Sequence, residues 1–169
     1  DKGIKIVGLE PSCLHTLRDE FLAMNPGSDA EKLADSALML EEFLVQEQEN
    51  GSLEIDFSPM NRKALIHGHC HQKAFGGMGA VQSALGLIPE LKVELIDSSC
   101  CGMAGSFGYE VNHYDVSMAM AELDLLPAIR DTDYQTLIVA DGTSCRHQIK
   151  DRVGREAKHV ARILEMALG

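Results

Sequence analysis

Between residues 63 and 153 the chain alternates three times between a short apolar segment and a longer helix-forming one. Lys63 to His67, Lys92 to Asp97 and Thr136 to Asp141 read as strands. Helices are expected from about His71 to Leu85, from about Asn112 to Leu125 and from Ser144 to Val153. A last helix is marked by Ala157, Val160, Ala161, Leu164, Ala167 and Leu168. Short apolar strands that take turns with helices give a parallel sheet covered on both sides. The expected class is therefore α/β: three layers, a mostly parallel sheet with helices on both faces. In such sheets ligands bind beyond the carboxyl ends of the strands, where strand order reverses. Each cysteine of this chain follows an expected strand within a few residues, so the cysteines are placed at those C-terminal ends.

A second regularity concerns the whole chain. Ile4 to Asp19 parallels Thr136 to Asp151, both reading as strand, turn, Ser-Cys and helix. Ser12 then matches Ser144, Cys13 matches Cys145, His15 matches His147 and Asp19 matches Asp151. This pattern predicts an internal duplication, with residues 1–27 the tail of a first, truncated repeat and residues 61–169 a complete second one. Residues 28–60 join them. Ser28-Asp-Ala-Glu31 has the form of a capping box, and Leu33, Ala37, Leu40 and Leu44 recur at helical spacing, so one amphipathic helix is expected to about Gln48. Glu49 to Ser52 breaks it, and a loop follows to Asn61. Because the chain opens at Asp1 on what reads as the interior of a domain, a piece of a longer protein is expected.

Charge narrows the partners. Twenty-six acidic against 15 basic side chains give a net charge of −11, which argues against nucleic acid, whose binding rests on Lys and Arg meeting phosphates. No run approaches the roughly 20 apolar residues of a membrane helix. The charged opening residues lead straight into a strand, so a reducing, cytoplasmic setting is expected, with partners as the only route to a membrane. Five cysteines in such a setting read as ligands, catalysts or core residues and not as a disulfide framework.

The thiols carry the chemistry. Cys100 and Cys101 are adjacent in Asp97-Ser-Ser-Cys-Cys-Gly-Met-Ala-Gly-Ser-Phe-Gly108, with Cys70 in His-Gly-His-Cys-His and Cys145 in Gly-Thr-Ser-Cys-Arg-His-Gln. Adjacent cysteines rarely close on each other as a relaxed disulfide, whereas two thiolates on a glycine-rich turn suit a metal cluster. A four-iron cluster takes one thiolate per iron, and Cys70, Cys100, Cys101 and Cys145 supply four. Gly102, Gly105 and Gly108 are expected to let the loop wrap closely round such a cofactor, with amides facing its sulfurs. Glycines at every third position do not match the dinucleotide fingerprint, and no phosphate-binding loop is present. His67, His69 and His71 alternate about Cys70, which in an extended segment sets them opposite it. A zinc site joining Cys70 to His69 or His71 is the rival reading, and Cys13 is a further candidate ligand. His15 and His147 read as first-turn helix residues without a catalytic role. A thiol nucleophile at Cys100 or Cys101 lacks a convincing base nearby.

Cys70, Cys-Cys-Gly at 100 to 102 and Ser-Cys at 144 and 145 together resemble the cysteine-rich CCG domain, over most of residues 61–169. That domain occurs, usually twice, in the iron–sulfur subunit of glycolate oxidase and in the subunits designated C in anaerobic glycerol-3-phosphate dehydrogenase and B in heterodisulfide reductase. It also ends fused FAD-linked oxidases that act on 2-hydroxy acids, and the wording around Cys101 looks closest to these. The family pattern often closes with Cys-x-x-Cys, where this chain has Cys145-Arg-His-Gln148. The resemblance therefore does not extend to a fifth ligand, to a non-cubane cluster or to disulfide-reducing catalysis.

The resemblance implies an iron–sulfur (4Fe-4S) electron-transfer module. Upstream FAD and ferredoxin-like domains or subunits would be its partners, and FAD would oxidise a small 2-hydroxy acid such as glycolate or lactate there and not on this segment. The alternative is a zinc-binding or docking module without redox activity.

Overall fold

The computed structural model describes residues 3–169. A four-stranded parallel sheet, β3 (Lys63–Ile66), β4 (Lys92–Leu95), β5 (Leu137–Val139) and β6 (Ala157–Lys158), runs in the order β4-β3-β5-β6. A second sheet pairs β1 (Ile6–Gly8) with β2 (Ala37–Met39), also in parallel.

The period-two rule for strands sorts the main sheet into two faces. Ala64, Ile66, Leu137 and Val139 point into one core, closed by α4 (Leu40–Glu49), α6 (Met78–Gly86) and α10 (Val160–Ala167). Leu65 and Ile138 point into the other, closed by α7 (Tyr114–Ala121), α8 (Leu125–Arg130) and α9 (Thr143–Val153). The molecule is thus the expected three-layer α/β arrangement.

The small sheet is tied to the large one through α1 (Pro11–Arg18). The Glu10 carboxylate, just before α1, accepts hydrogen bonds from Thr143 N (3.1 Å) and Thr143 Oγ1 (2.8 Å) at the start of α9. An anion at a helix N-terminus is favoured by the exposed amides and the dipole there. Arg18 forks onto Glu42 and donates from Nε to Ala37 O (2.8 Å), tying α1 to β2 and α4.

Several expected elements are corrected. The single helix from Ser28 to Gln48 is α3 (Ser28–Ser36), β2 and α4. Ala37, Leu38 and Met39 are buried in an extended stretch that pairs with β1, and a three-residue strand leaves the helical spacing around it undisturbed. The capping box is absent: Gly27 precedes the helix, and no side chain caps it. The helix after β3 is split into α5 (Cys70–Ala74) and α6, because Gly76 adopts φ +72° between them. The helix expected from Asn112 is shorter, preceded by 3-10 turns at Phe107–Tyr109 and Val111–His113 and followed by α8. Ala157 belongs to β6 and not to the last helix. The expected loop after Glu49 is present, and within it Phe57 bridges to Leu168.

Candidate metal centre

Strand order reverses between β3 and β5: β4 lies outward of β3, and β6 lies outward of β5. The loops leaving β3, β4 and β5 therefore meet at one end of the sheet, which is where this architecture places its ligands. Cys70 opens α5 after β3, Cys100 and Cys101 lie in the loop after β4, and Cys145 stands in the first turn of α9 after β5. All four face one cavity of about 310 Å³, together with His69 and His71.

The sulfurs form a connected row. Cys101 Sγ and Cys145 Sγ are 3.2 Å apart, Cys100 accepts hydrogen bonds from both Cys70 and Cys101, and Gly102 N donates to Cys100 Sγ at 3.3 Å. Exposure grades along the row, with Cys70 exposed, Cys100 half-buried and Cys101 and Cys145 buried. Protons are shared unequally. Hydrogen bonds from Cys101 and Cys70 push the Cys100 thiol well below its ordinary range. The Cys101 hydrogen bond does the same at Cys145, pushing it down to about 5, with His67 assisting. Cys70 and Cys101 are pushed up, first by the hydrogen bonds they give Cys100 and then by other thiols and burial. Two of four thiols are thus poised as thiolates, the protonation state that binds metal.

Each loop is held by side chains from other elements. Lys73 of α5 donates to Ser98 O and Ser99 O, both at 2.5 Å, immediately before Cys100. Gln148 of α9 is buried and donates from Nε2 to Cys101 O (3.1 Å) and Ser117 Oγ (3.0 Å). Gly102 takes φ +88°, and a Cβ there would lie 2.1 Å from Ser117 O. A Cβ on Gly108 would lie 2.5 Å from Ser117 Oγ. These two glycines let the loop press against α7, whereas Gly105, at φ +66°, lines the cavity itself.

Behind the cavity lies a buried polar knot. Gln72 Oε1 accepts from His69 N (3.2 Å), while its Nε2 donates to Glu41 Oε1 and Asp141 Oδ2, each at 2.8 Å. Asp141 Oδ1 accepts from Val160 N at 2.9 Å. Burial, and then the Asp141 carboxylate beside it, raise the Glu41 carboxyl to about 7.

Cys70, Cys100, Cys101 and Cys145 converge, and His69 and His71 line the same cavity. The alternation about Cys70 is corrected: the extended segment ends at His69, which caps α5 by accepting from His71 N, so His69, Cys70 and His71 turn to one side. Cys13 is exposed, and Ser12, not Cys13, lines the cavity. His15 and His147 sit one full turn into their helices and not in the first turn. His15 is fully buried and stacks on Phe75, with ring centroids 4.8 Å apart, while His147 Nδ1 meets Tyr109 OH at 2.6 Å. The supporting residues Ser117, Gln72 and Glu41 carry no motif in the sequence, since each acts through a partner at least 14 positions away.

The donor set fits a metal or an iron–sulfur cofactor: four thiols in one pocket, two of them poised to ionise, with backbone amide N–H directed at sulfur. No helix among the described residues is long and apolar enough to cross a membrane. No family model and no solved structure matches the chain. Over 169 residues the chain is 27% identical to the subunit designated C of anaerobic glycerol-3-phosphate dehydrogenase from Escherichia coli K12, covering 99% of the chain and 41% of that protein. It is also 27% identical over 164 residues to D-2-hydroxyglutarate dehydrogenase of the same strain, and 29% over 157 residues to that of Haemophilus influenzae, covering 15% of each. The chain spans less than half the length of these relatives. It is a homologue of a segment of these dehydrogenase proteins, as its cysteine motifs imply.

Proposed function

We propose that this chain is the iron–sulfur electron-transfer segment of a flavin-dependent dehydrogenase that oxidises a small 2-hydroxy acid. The observation that carries the reading is the convergence of Cys70, Cys100, Cys101 and Cys145, from three loops, on one cavity at the strand-order reversal. The relatives support it, being a glycerol-3-phosphate dehydrogenase subunit and D-2-hydroxyglutarate dehydrogenases that are much longer than the chain. The remaining length leaves room for the flavin, substrate and further relay sites on other domains or subunits.

A cluster held by these thiols supplies acceptance and release of single electrons. The chain's own residues do the rest. Cys70, Cys100, Cys101 and Cys145 bind, and Gly102 N sets a positive dipole on the Cys100 sulfur. Gln148 and Lys73 hold the Cys100–Cys101 loop in register. Cys101 and Cys145 close the inner end against water, while Cys70 leaves the outer end accessible to a partner. The match between Ile4–Asp19 and Thr136–Asp151, each a strand followed by a helix, supports reading residues 1–27 as the tail of a first copy of the same unit.

A zinc site on the same thiols is the second reading, favoured by the close approach of Cys101 and Cys145 at 3.2 Å, which is nearer the roughly 3.8 Å between two thiolates on one tetrahedral zinc than the wider spacing of thiolates on separate irons. Anaerobic reconstitution with iron, sulfide and zinc in competition separates the two. Retained iron with acid-labile sulfide, and visible absorption that bleaches on reduction, supports the relay. Retained zinc without sulfide overturns it.

A further inference from the structure

We propose that His67 is a direct metal ligand, its Nε2 joining the buried sulfurs of Cys101 and Cys145. The inference deepens the metal-centre reading and rests on it.

His67 is the residue after β3, and its backbone N donates to Val139 O at 2.8 Å, so its position is set by the sheet and not by a mobile loop. The side chain is 1% exposed. Its Nδ1 lies 2.9 Å from Ser98 Oγ, while its Nε2 is buried and has no hydrogen-bond partner. A ring nitrogen of His67 and the sulfurs of Cys101 and Cys145 all lie within 4.8 Å of one another, and all three residues are buried. Ligation requires the tautomer in which Nδ1–H donates to Ser98 Oγ, and in that tautomer the Nε2 lone pair faces the sulfurs.

A buried nitrogen left unpaired forfeits its hydration without replacement, and the neighbouring thiols are needed as thiolates once a metal is held. A metal ion shared with Cys101 and Cys145 satisfies the nitrogen and both sulfurs together. The remainder of the ring has the support a ligating histidine normally has: its other nitrogen is paired with an oxygen that fixes tautomer and orientation. Here that oxygen is Ser98 Oγ, in the loop that carries Cys100, and Lys73 anchors the same loop. Ligation needs no redox partner and releases no proton from the ring, since Nδ1 keeps its hydrogen. His69 is less suited, because its Nδ1 lone pair accepts from His71 N in capping α5, which leaves the ring hydrogen on Nε2.

The test uses two probes on the wild-type chain and on His67→Ala, His67→Cys and Ser98→Ala. The first is anaerobic reconstitution with iron and sulfide, followed by pulsed paramagnetic resonance of the reduced protein grown with ¹⁴N- or ¹⁵N-histidine. A strongly coupled nitrogen is expected in the wild type and in Ser98→Ala, shifting with the isotope and lost in both His67 variants. The second probe is cobalt(II) alone. Loss of an outer-shell partner typically costs 10–100-fold in metal affinity, so Ser98→Ala is expected within that range and His67→Ala beyond about 100-fold. Cobalt bound with unchanged affinity by His67→Ala overturns the proposal, as does a nitrogen coupling that persists in His67→Cys. Wild-type protein that binds cobalt through His67 but retains no sulfide ends the iron–sulfur reading and leaves His67 a ligand. Wild-type protein that binds neither probe overturns both.

Discussion

The sulfurs of Cys101 and Cys145, 44 positions apart in the chain, lie 3.2 Å from each other. One is on the loop after β4 and the other on the first turn of α9, so only the return of both strands to one sheet brings them together. Substituting either should therefore remove metal, whereas Cys13, exposed and outside the cavity wall, should be dispensable. After anaerobic reconstitution, Cys101→Ser and Cys145→Ser are expected to retain less than about a tenth of the wild-type iron, taking loss of a ligand to exceed the outer-shell cost. Cys13→Ser is expected to retain all of it.

Gly102 and Gly105 both have positive φ but for different reasons. An alanine at 102 would meet Ser117 O, whereas one at 105 meets nothing within 4 Å. Left-handed backbone costs a non-glycine residue roughly 1–2 kcal/mol, and forcing atoms into a packed region adds about 1–3 kcal/mol. Gly105→Ala should thus lower the unfolding free energy by about 1 kcal/mol, and Gly102→Ala by roughly 3 kcal/mol, as measured by urea denaturation.

Gln148 should act through Cys101 and not through the metal. Gln148→Ala leaves Cys101 O without its side-chain donor, at a cost of about 1–3 kcal/mol. Metal affinity should fall with the stability while the optical spectrum of the bound centre keeps its wild-type shape.

Glu41 gives the fold a pH dependence. Its folded-state carboxyl is raised to about 7 from an ordinary 4.5. Below 4.5 both folded and unfolded states hold the proton, and Glu41 contributes no penalty. As pH rises from 4.5 to 7 the unfolded state ionises first, so stability falls, and the full penalty of about 3 kcal/mol stands above 7. Glu41→Gln should remove that slope, its advantage over the wild type being larger well above the raised value than well below the ordinary one. Urea midpoints under the two conditions check it, and parallel curves would contradict it.

The three-layer sheet is readable because the apolar runs of β3 and β5 and the alternating Lys92-Val93-Glu94-Leu95 of β4 are separated by helices, and the cysteines all follow strands. β2 and β6 are not, because Ala37-Leu38-Met39 and Ala157-Lys158 are too short to establish a period of their own and are extended only through their pairing partners. In the site, the thiols announce themselves by residue type, but their supports do not. Ser117 is one serine on an ordinary helix until Gly102 and Gln148 are brought against it. His67 reads as one of three alternating histidines, and only the start of α5 at Cys70 separates it from His69 and His71. No motif marks Glu41, and it is 1% exposed because Gln72 and Asp141 close over it.

The central claim, that four thiols grip one inorganic centre, is tested most directly by iron-edge X-ray absorption on the anaerobically reconstituted chain. An iron–sulfur shell with iron–iron scattering is expected in the wild type, collapsing in Cys101→Ser and Cys145→Ser. Iron surrounded only by oxygen or nitrogen, or a wild-type signal unchanged by either substitution, would contradict it.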